Sequence, residues 1–268
     1  MKTGSSFLFL VLIVIVGCGS INLFDKPEKP DPIDYSPYLK LWVKFDDFDT
    51  ATNAETGQVG NIYPNTSAWE GFAAVKYGNG LELDFDIDNS CIGYHGQNIF
   101  STRQGTVEFW YLSNVTNETR GYTCLFYFAF SGLSSRIALV NNSTVGYSGI
   151  KGLALQVNND TGVDMVMMTG TALNYSTNTP MHIATVWDLD GINSTSDTFQ
   201  VYTNGSLLLS TNVVVANTNL GVVEWDYIAI CGRGDFKGGS WKTSPSGQMD
   251  NFKYYTIAKT NFDDRFVE

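Results

Sequence analysis

The stretch at residues 181–211, MHIATVWDLDGINSTSDTFQVYTNGSLLLST, admits few folds. From His182 to Trp187 the residues alternate and are rich in β-formers, the pattern of a strand. A polar connection follows at 188–197. Phe199, Val201 and Thr203 then share one face of a second strand, with Gln200 and Tyr202 on the other. Asn204-Gly205 supplies the two residues that a type I′ turn wants, and Leu207 to Leu209 start the return strand.

Similar strands recur along the chain. In LKLWVKF, Leu39, Leu41, Val43 and Phe45 take one face and Lys40, Trp42 and Lys44 the other. In GTVEFWYLS, Val107, Phe109 and Tyr111 face one way, Glu108 and Trp110 the other. Residues 122–130 are almost wholly apolar and aromatic, as in a central strand buried on both faces. Short strands are expected at 91–94, 136–140, 152–157, 164–169, 227–233 and 247–256. Their spacing, without helical periodicity, indicates an all-β, two-sheet antiparallel sandwich or jelly roll. The composition agrees: charged residues make up 16%, aromatics 14%, and glycine is frequent.

Several of these segments resemble motifs of the laminin-G-like jelly roll, within the concanavalin A-like lectin/glucanase superfamily. His182, Ala184, Trp187, Asp188, Val201, Tyr202, Asn204 and Gly205 match "H-V-A-x-x-[WY]-[DN]" followed by "L-Y-V-N-G". Asp46 ends an opening strand similar to "L-x-x-x-[WY]-x-F-D". Tyr77, Gly78, Asn79, Leu81 and Leu83 fit "G-K-[FY]-G-x-A-L-x-F-D-G", with Gly80 in place of the usual Ala. Residues 105–113 resemble "G-[ST]-[IV]-E-[FA]-W", and GQMDNFKYYT resembles the closing strand "G-x-[IL]-D-[DEN]-[VF]-x-[IVY]-Y". The resemblance covers roughly residues 39–266, and it implies a concanavalin A-like jelly roll at 39–268.

The N-terminus reads as an export signal. Lys2 precedes an apolar run, Phe7 to Val16, too short to span a bilayer, which takes roughly 20 residues. Ile15-Val16-Gly17-Cys18 resembles a lipobox, which would make Cys18 the lipidated first residue of a surface lipoprotein; cleavage after Gly19 is the alternative. Residues 1–18 are thus expected to be the signal and 19–38 a linker. Four of the seven prolines lie between Pro27 and Pro37, which marks an extended spacer. Either reading of the leader puts the protein at the cell surface or outside it, held to the membrane by a lipid at most.

A net charge of −11, from 16 basic and 27 acidic residues, argues against nucleic acid as a partner. Acidic loops suit calcium or plain solubility. Asp250 matches a closing-strand carboxylate that ligates a structural calcium in many relatives, and Asp46, with Asp47 beside it, is expected to supply the second side. Asp235 and Trp241, in the loop at 232–247, are the expected ligand contacts, since sugar sites pair a stacking aromatic with polar groups on loops.

Glu82, Asp84, Asp86 and Asp88 would share a strand face. Related glucanases use "E-[IL]-D-x-x-E", with carboxyls about 5–5.5 Å apart, but the last Glu is missing here. Two histidines, His95 and His182, lack zinc-site spacing, and His182 falls at a structural position of the resembling motif. No catalytic residue is expected. Nine Asn-x-Ser/Thr sequons suggest a glycosylated surface, and Cys91, Cys124 and Cys231 leave an odd thiol in the domain. The expected function is a non-catalytic module that binds glycan or cell-surface polysaccharide. The alternatives are a self-associating subunit of a surface layer and a hydrolase or lyase built on Glu82 and Asp84.

Overall fold

The computed structural model describes residues 33–56, 60–63, 72–76, 78–83, 91–95, 100–101, 103–114, 122–130, 135–142, 152–158, 164–168, 175–212, 227–230 and 245–266. Cys18 and the leader fall outside the described residues, as do Asp84, Asp235 and Trp241. Of the unit Met1–Asp34, only Ile33 and Asp34 are described, both exposed. The unit Tyr35–Glu268 is an all-β sandwich of two antiparallel sheets, as the strand patterns predict. Among the described residues no helix is long and apolar enough to cross a membrane.

The first sheet holds β1 (Leu39–Val43), β3 (Phe72–Ala74), β4 (Asn79–Leu83), β6 (Gln104–Ser113), β11 (Met181–Asp188), β12 (Phe199–Thr203), β13 (Ser206–Thr211) and β15 (Gly247–Tyr255). Its order is β13-β12-β11-β6-β15-β4-β3, with β1 alongside the second half of β15. The second sheet holds β2 (Gly60–Tyr63), β5 (Cys91–His95), β7 (Tyr122–Phe130), β8 (Ser135–Asn142), β9 (Gly152–Asn158), β10 (Asp164–Met168) and β14 (Tyr227–Ile230), in the order β10-β9-β8-β7-β14-β5-β2. The turn between β12 and β13 is built as its residues require. Asn204 and Gly205 have φ of 51° and 80°, which a type I′ turn demands at both central positions.

The inner faces meet in one aromatic-rich core. Phe109, Trp187 and Tyr254 of the first sheet face Phe126 and Phe128 of the second, with centroid separations of 6.4 Å for Phe109–Phe126, 6.1 Å for Phe128–Trp187 and 5.9 Å for Phe128–Tyr254. These are edge-on contacts, the arrangement that ring quadrupoles favour. Each large apolar side chain buried here contributes roughly 1.5–3 kcal/mol. Trp187 has no exposed surface.

Closing this core takes a break in the two-residue period of β15. Met249 faces inward, yet so do Phe252 and Tyr254. Asn251 absorbs the extra residue. Its φ is 52°, and the pairing with β6 shifts between Asp250 and Lys253. A bulge of this kind turns successive side chains onto the outer face and bends the strand.

The outer face of the first sheet is covered in part by the segment that follows β15. Phe262 packs on Tyr202 at 4.9 Å and on His182 at 5.5 Å, and with Ala184, Val186 and Ile192 it forms a second small core. Tyr35, within the stretch expected as a spacer, is buried, sits edge-on to Tyr255, and opens a turn whose Tyr38 carbonyl accepts from the Thr256 N–H at 3.0 Å. Both ends of the unit thus meet at β15.

Candidate functional site

The carboxylates expected to hold a metal come to one hairpin. Asp46 follows β1. Its Oδ1 accepts from the Asn79 N–H at 3.4 Å, and its carbonyl accepts from Asn79 Nδ2 at 3.2 Å. Asp250 lies on β15, one residue past the Met249↔Leu81 pairing with β4, and directly across from Trp110 on β6. A Cβ on Gly80 would sit 3.3 Å from the Cβ of Asp250. The turn through Gly78, Asn79 and Gly80 is therefore flanked by Asp46 on one side and Asp250 on the other.

The backbone around this turn is unusual in three places. Phe45, fully buried, has φ of 65°, a conformation that costs a bulky residue about 1–3 kcal/mol and persists only where packing holds it. Gly78 has φ of 67°, and a Cβ there would lie 2.6 Å from Asp46 Oδ1. Asn251 is the bulged residue next to Asp250, and its Oδ1 accepts from Trp42 Nε1. Such outliers gather at special sites, and these three adjoin Asp46 or Asp250 in sequence or in space.

Asp47, expected to stand beside Asp46, is otherwise employed. It caps the one-turn helix α1 (Phe48–Thr52), accepting from the Thr50 N–H at 2.8 Å and the Thr50 hydroxyl at 2.9 Å. Those hydrogen bonds hold its carboxyl below the ordinary value. Among the described residues, no group of three or more His, Cys, Asp and Glu side chains is arranged to hold a metal ion. A cation at the hairpin would draw on two carboxylates, the Asn79 side chain, backbone carbonyls and water. That is an all-oxygen donor set, which suits a hard ion such as calcium and not a thiolate- or imidazole-seeking metal.

Sequence reasoning missed a second cluster, on the outer face beneath the C-terminal segment. Lys259, with no exposed surface, donates to Glu108 Oε1 at 2.9 Å and Oε2 at 3.1 Å and pairs with Asp264 at 2.8 Å. The Tyr255 hydroxyl donates to Glu108 at 3.0 Å. His182 Nε2 stands 3.4 Å from Glu108 Oε2 without the geometry of a hydrogen bond. The rings of Tyr35, Tyr255 and Phe262 surround the ammonium at 5.2, 4.7 and 5.2 Å. Burial pushes the Glu108 carboxyl up, but the contacts with His182 and Lys259 outweigh it and hold the group at about 2. Burial also raises the Tyr255 hydroxyl, helped by the Glu108 charge. Glu108, His182 and Lys259 are sealed from solvent while Asp264 is exposed, and the cluster acts as a lock holding the segment after β15 to the sheet.

The remaining expectations scatter. Glu82 is half-buried on β4 opposite Gln248, and its expected partner Asp84 lies outside the described residues. Cys124 is buried in β7 with its thiol directed at the Phe126 carbonyl, 3.2 Å away. Among the described residues, the sequon asparagines Asn114, Asn193 and Asn204 are exposed, and each makes a hydrogen bond: Asn114 with Gln248, Asn193 with Thr260, and Asn204 with the His182 N–H.

No family model and no curated protein sequence matches this chain. Solved structures do. Domain 4 of AbnA, a GH43 extracellular arabinanase from Geobacillus stearothermophilus, solved with arabinotriose, aligns with a TM-score of 0.58 at 20% identity, over 82% of this chain and 93% of that one. The receptor-binding domain of botulinum neurotoxin mosaic serotype C/D also gives 0.58, at 12% identity and over 87% of this chain. The botulinum neurotoxin serotype D binding domain gives 0.56 at 12%. The chain spans about half the length of these toxin domains, 51% in each. The chain thus shares the fold of these β-sandwich domains.

Proposed function

We propose that this protein is an exported, non-catalytic carbohydrate-binding module with a laminin-G-like, concanavalin A-like jelly-roll winding. The observation that carries the reading is the sandwich itself: the domain it resembles over most of both chains belongs to an extracellular arabinanase and was solved with arabinotriose. In this reading Asp46 and Asp250 hold a structural calcium with the Asn79 side chain and neighbouring carbonyls. The ion would join the end of the opening strand to the closing strand and stiffen the hairpin between them. Asp235 and Trp241 contribute the sugar contacts. The domain spans residues 35–268, the stretch before it lifts it off a surface, and a lipid on Cys18 anchors it there.

A glycan array probed with the full chain, in calcium and in chelator, tests the function. Binding to a defined glycan class supports the reading, and silence across plant, microbial and host glycans overturns it. The alternative, a self-associating surface subunit, is favoured by Leu207 and Leu208, 52% and 40% exposed on β13, which pairs only with β12 among the described residues. Concentration-dependent growth in sedimentation together with a silent array would favour it.

A further inference from the structure

The register between β5 and β14 bears on the domain's three cysteines. Cys91 opens β5 and pairs with Tyr63 of β2 on one side. On the other side β5 pairs with β14 in the rungs Tyr227↔His95, Ile228↔Tyr94, Ala229↔Gly93 and Ile230↔Ile92. The strands are antiparallel, so each rung toward the start of β5 is one residue further along β14. After Ile230↔Ile92, the next residue on the one strand is Cys91 and on the other Cys231. Cys231 itself lies outside the described residues, and the strand expected from the sequence at 227–233 includes it.

The faces agree with such a rung. Ile92 and Tyr94 of β5 and Ile228 and Ile230 of β14 all belong to the core. Residues alternate along a strand, so positions 91 and 231 both fall on the outer face of the sheet. Directly opposed residues in an antiparallel ladder have Cα atoms about 4.5 or 5.5 Å apart. A disulfide takes about 4.4–6.8 Å, which covers both kinds of rung. Cys124 is worse placed. It lies on β7, and β14 stands between β7 and β5, so two strand spacings, about 9–10 Å, part the outer two strands. On β14 the rung Ile230↔Phe126 sets position 231 across from Leu125, not Cys124. The Cys124 side chain is a thiol, which donates to the Phe126 carbonyl at 3.2 Å.

We propose that Cys91 and Cys231 form a cross-strand disulfide that staples β5 to β14 and leaves Cys124 as the odd thiol of the domain. The bond forms by exchange with an oxidant that itself carries a disulfide, the class that export compartments supply. One thiolate attacks the oxidant and releases its first thiol, leaving a mixed disulfide. The second thiolate attacks the protein sulfur of that bond and releases the other thiol. The two cysteines give up two protons and two electrons, and the oxidant takes them up. They stand 140 residues apart in the chain, so the bond constrains the unfolded state more than a link across a short loop would. The inference is independent of what the domain binds.

The test refolds the full chain, reduced in denaturant, in a mixture of reduced and oxidised glutathione. Remaining thiols are alkylated in denaturant, and the protein is digested without reduction for mass spectrometry. The expected product joins the Cys91 and Cys231 peptides, lighter by two hydrogens than the separate thiols, with Cys124 alkylated. Recovery of Cys91 and Cys231 as alkylated thiols, or a link from either to any other cysteine, overturns the proposal. Melting gives a second readout. Reductant should lower the melting temperature of the wild type and of Cys124→Ala by about 4–20 °C, and should leave that of the double variant Cys91→Ser, Cys231→Ser unchanged. A reductant response in the double variant as large as in the wild type overturns the assignment as well.

Discussion

Replacing Lys259 with methionine leaves Glu108 in the same dry pocket without its cation. Methionine keeps the apolar stem against Tyr35, Tyr255 and Phe262, so packing changes little and the perturbation is electrostatic. Removing one member of a buried ion pair costs about 3–5 kcal/mol. The titration of Glu108 gives the direction of the pH dependence. Its carboxyl is held at about 2 against an ordinary 4.5 by His182 and Lys259 together, against the opposing effect of burial. A folded-state value below the unfolded one means that this stability is present above pH 4.5 and is lost as the pH falls toward 2. For a domain of this size about 2–4 °C is lost per kcal/mol. Thermal melts at neutral pH should therefore fall by roughly 6–20 °C in Lys259→Met. Glu108→Leu combined with Lys259→Met, which removes both charges, should recover most of that loss. Melts of the wild type between pH 5 and pH 2 should decline more steeply than those of the double variant. If Lys259→Met melts within a degree or two of wild type, the lock does not hold the chain end and the reasoning fails.

Other outcomes follow from the hairpin and the turns. Gly78→Ala should destabilise the domain by about 1–3 kcal/mol and weaken any calcium response, because it combines a left-handed backbone with a contact on Asp46; denaturant melts with and without calcium read both effects. Calcium should raise the melting temperature of the wild type by several degrees, since a hundredfold excess over Kd contributes about 2.7 kcal/mol, whereas Asp250→Ala should stay folded and show no shift. Asn204→Ala removes the acceptor for the His182 N–H from a residue at φ of 51°, and should cost about 1 kcal/mol in urea unfolding.

The parts of the fold that could be read in advance were those governed by local pattern. Alternation from His182 to Trp187, and Asn204-Gly205 ahead of three leucines, specify a strand and a tight hairpin without reference to distant residues, and β11 to β13 follow them. The bulge at Asn251 was not legible. Met249, Phe252 and Tyr254 all need the core, and only the pairing of β15 with β6 shows that an extra residue is taken up between them. Asp46 and Asp250 came from a resemblance to known motifs, and the hairpin at Gly78 to Gly80 that both flank is a tertiary fact. Glu108 reads in sequence as the polar side of a strand. Its partner Lys259 lies 151 residues away, in a stretch that looks like an ordinary turn, so the pair carries no local signal.

The most direct test is calorimetry of the full chain, wild type and Asp250→Ala, with the best glycan from the array, in calcium and in chelator. The proposed function predicts saturable binding by the wild type in calcium, and weaker binding in chelator and in Asp250→Ala, since both release the hairpin beside Asp46. Binding unchanged by chelator and by the substitution would separate the glycan site from the hairpin that Asp46 and Asp250 flank, and the absence of binding under every condition would contradict the assignment as a carbohydrate-binding module.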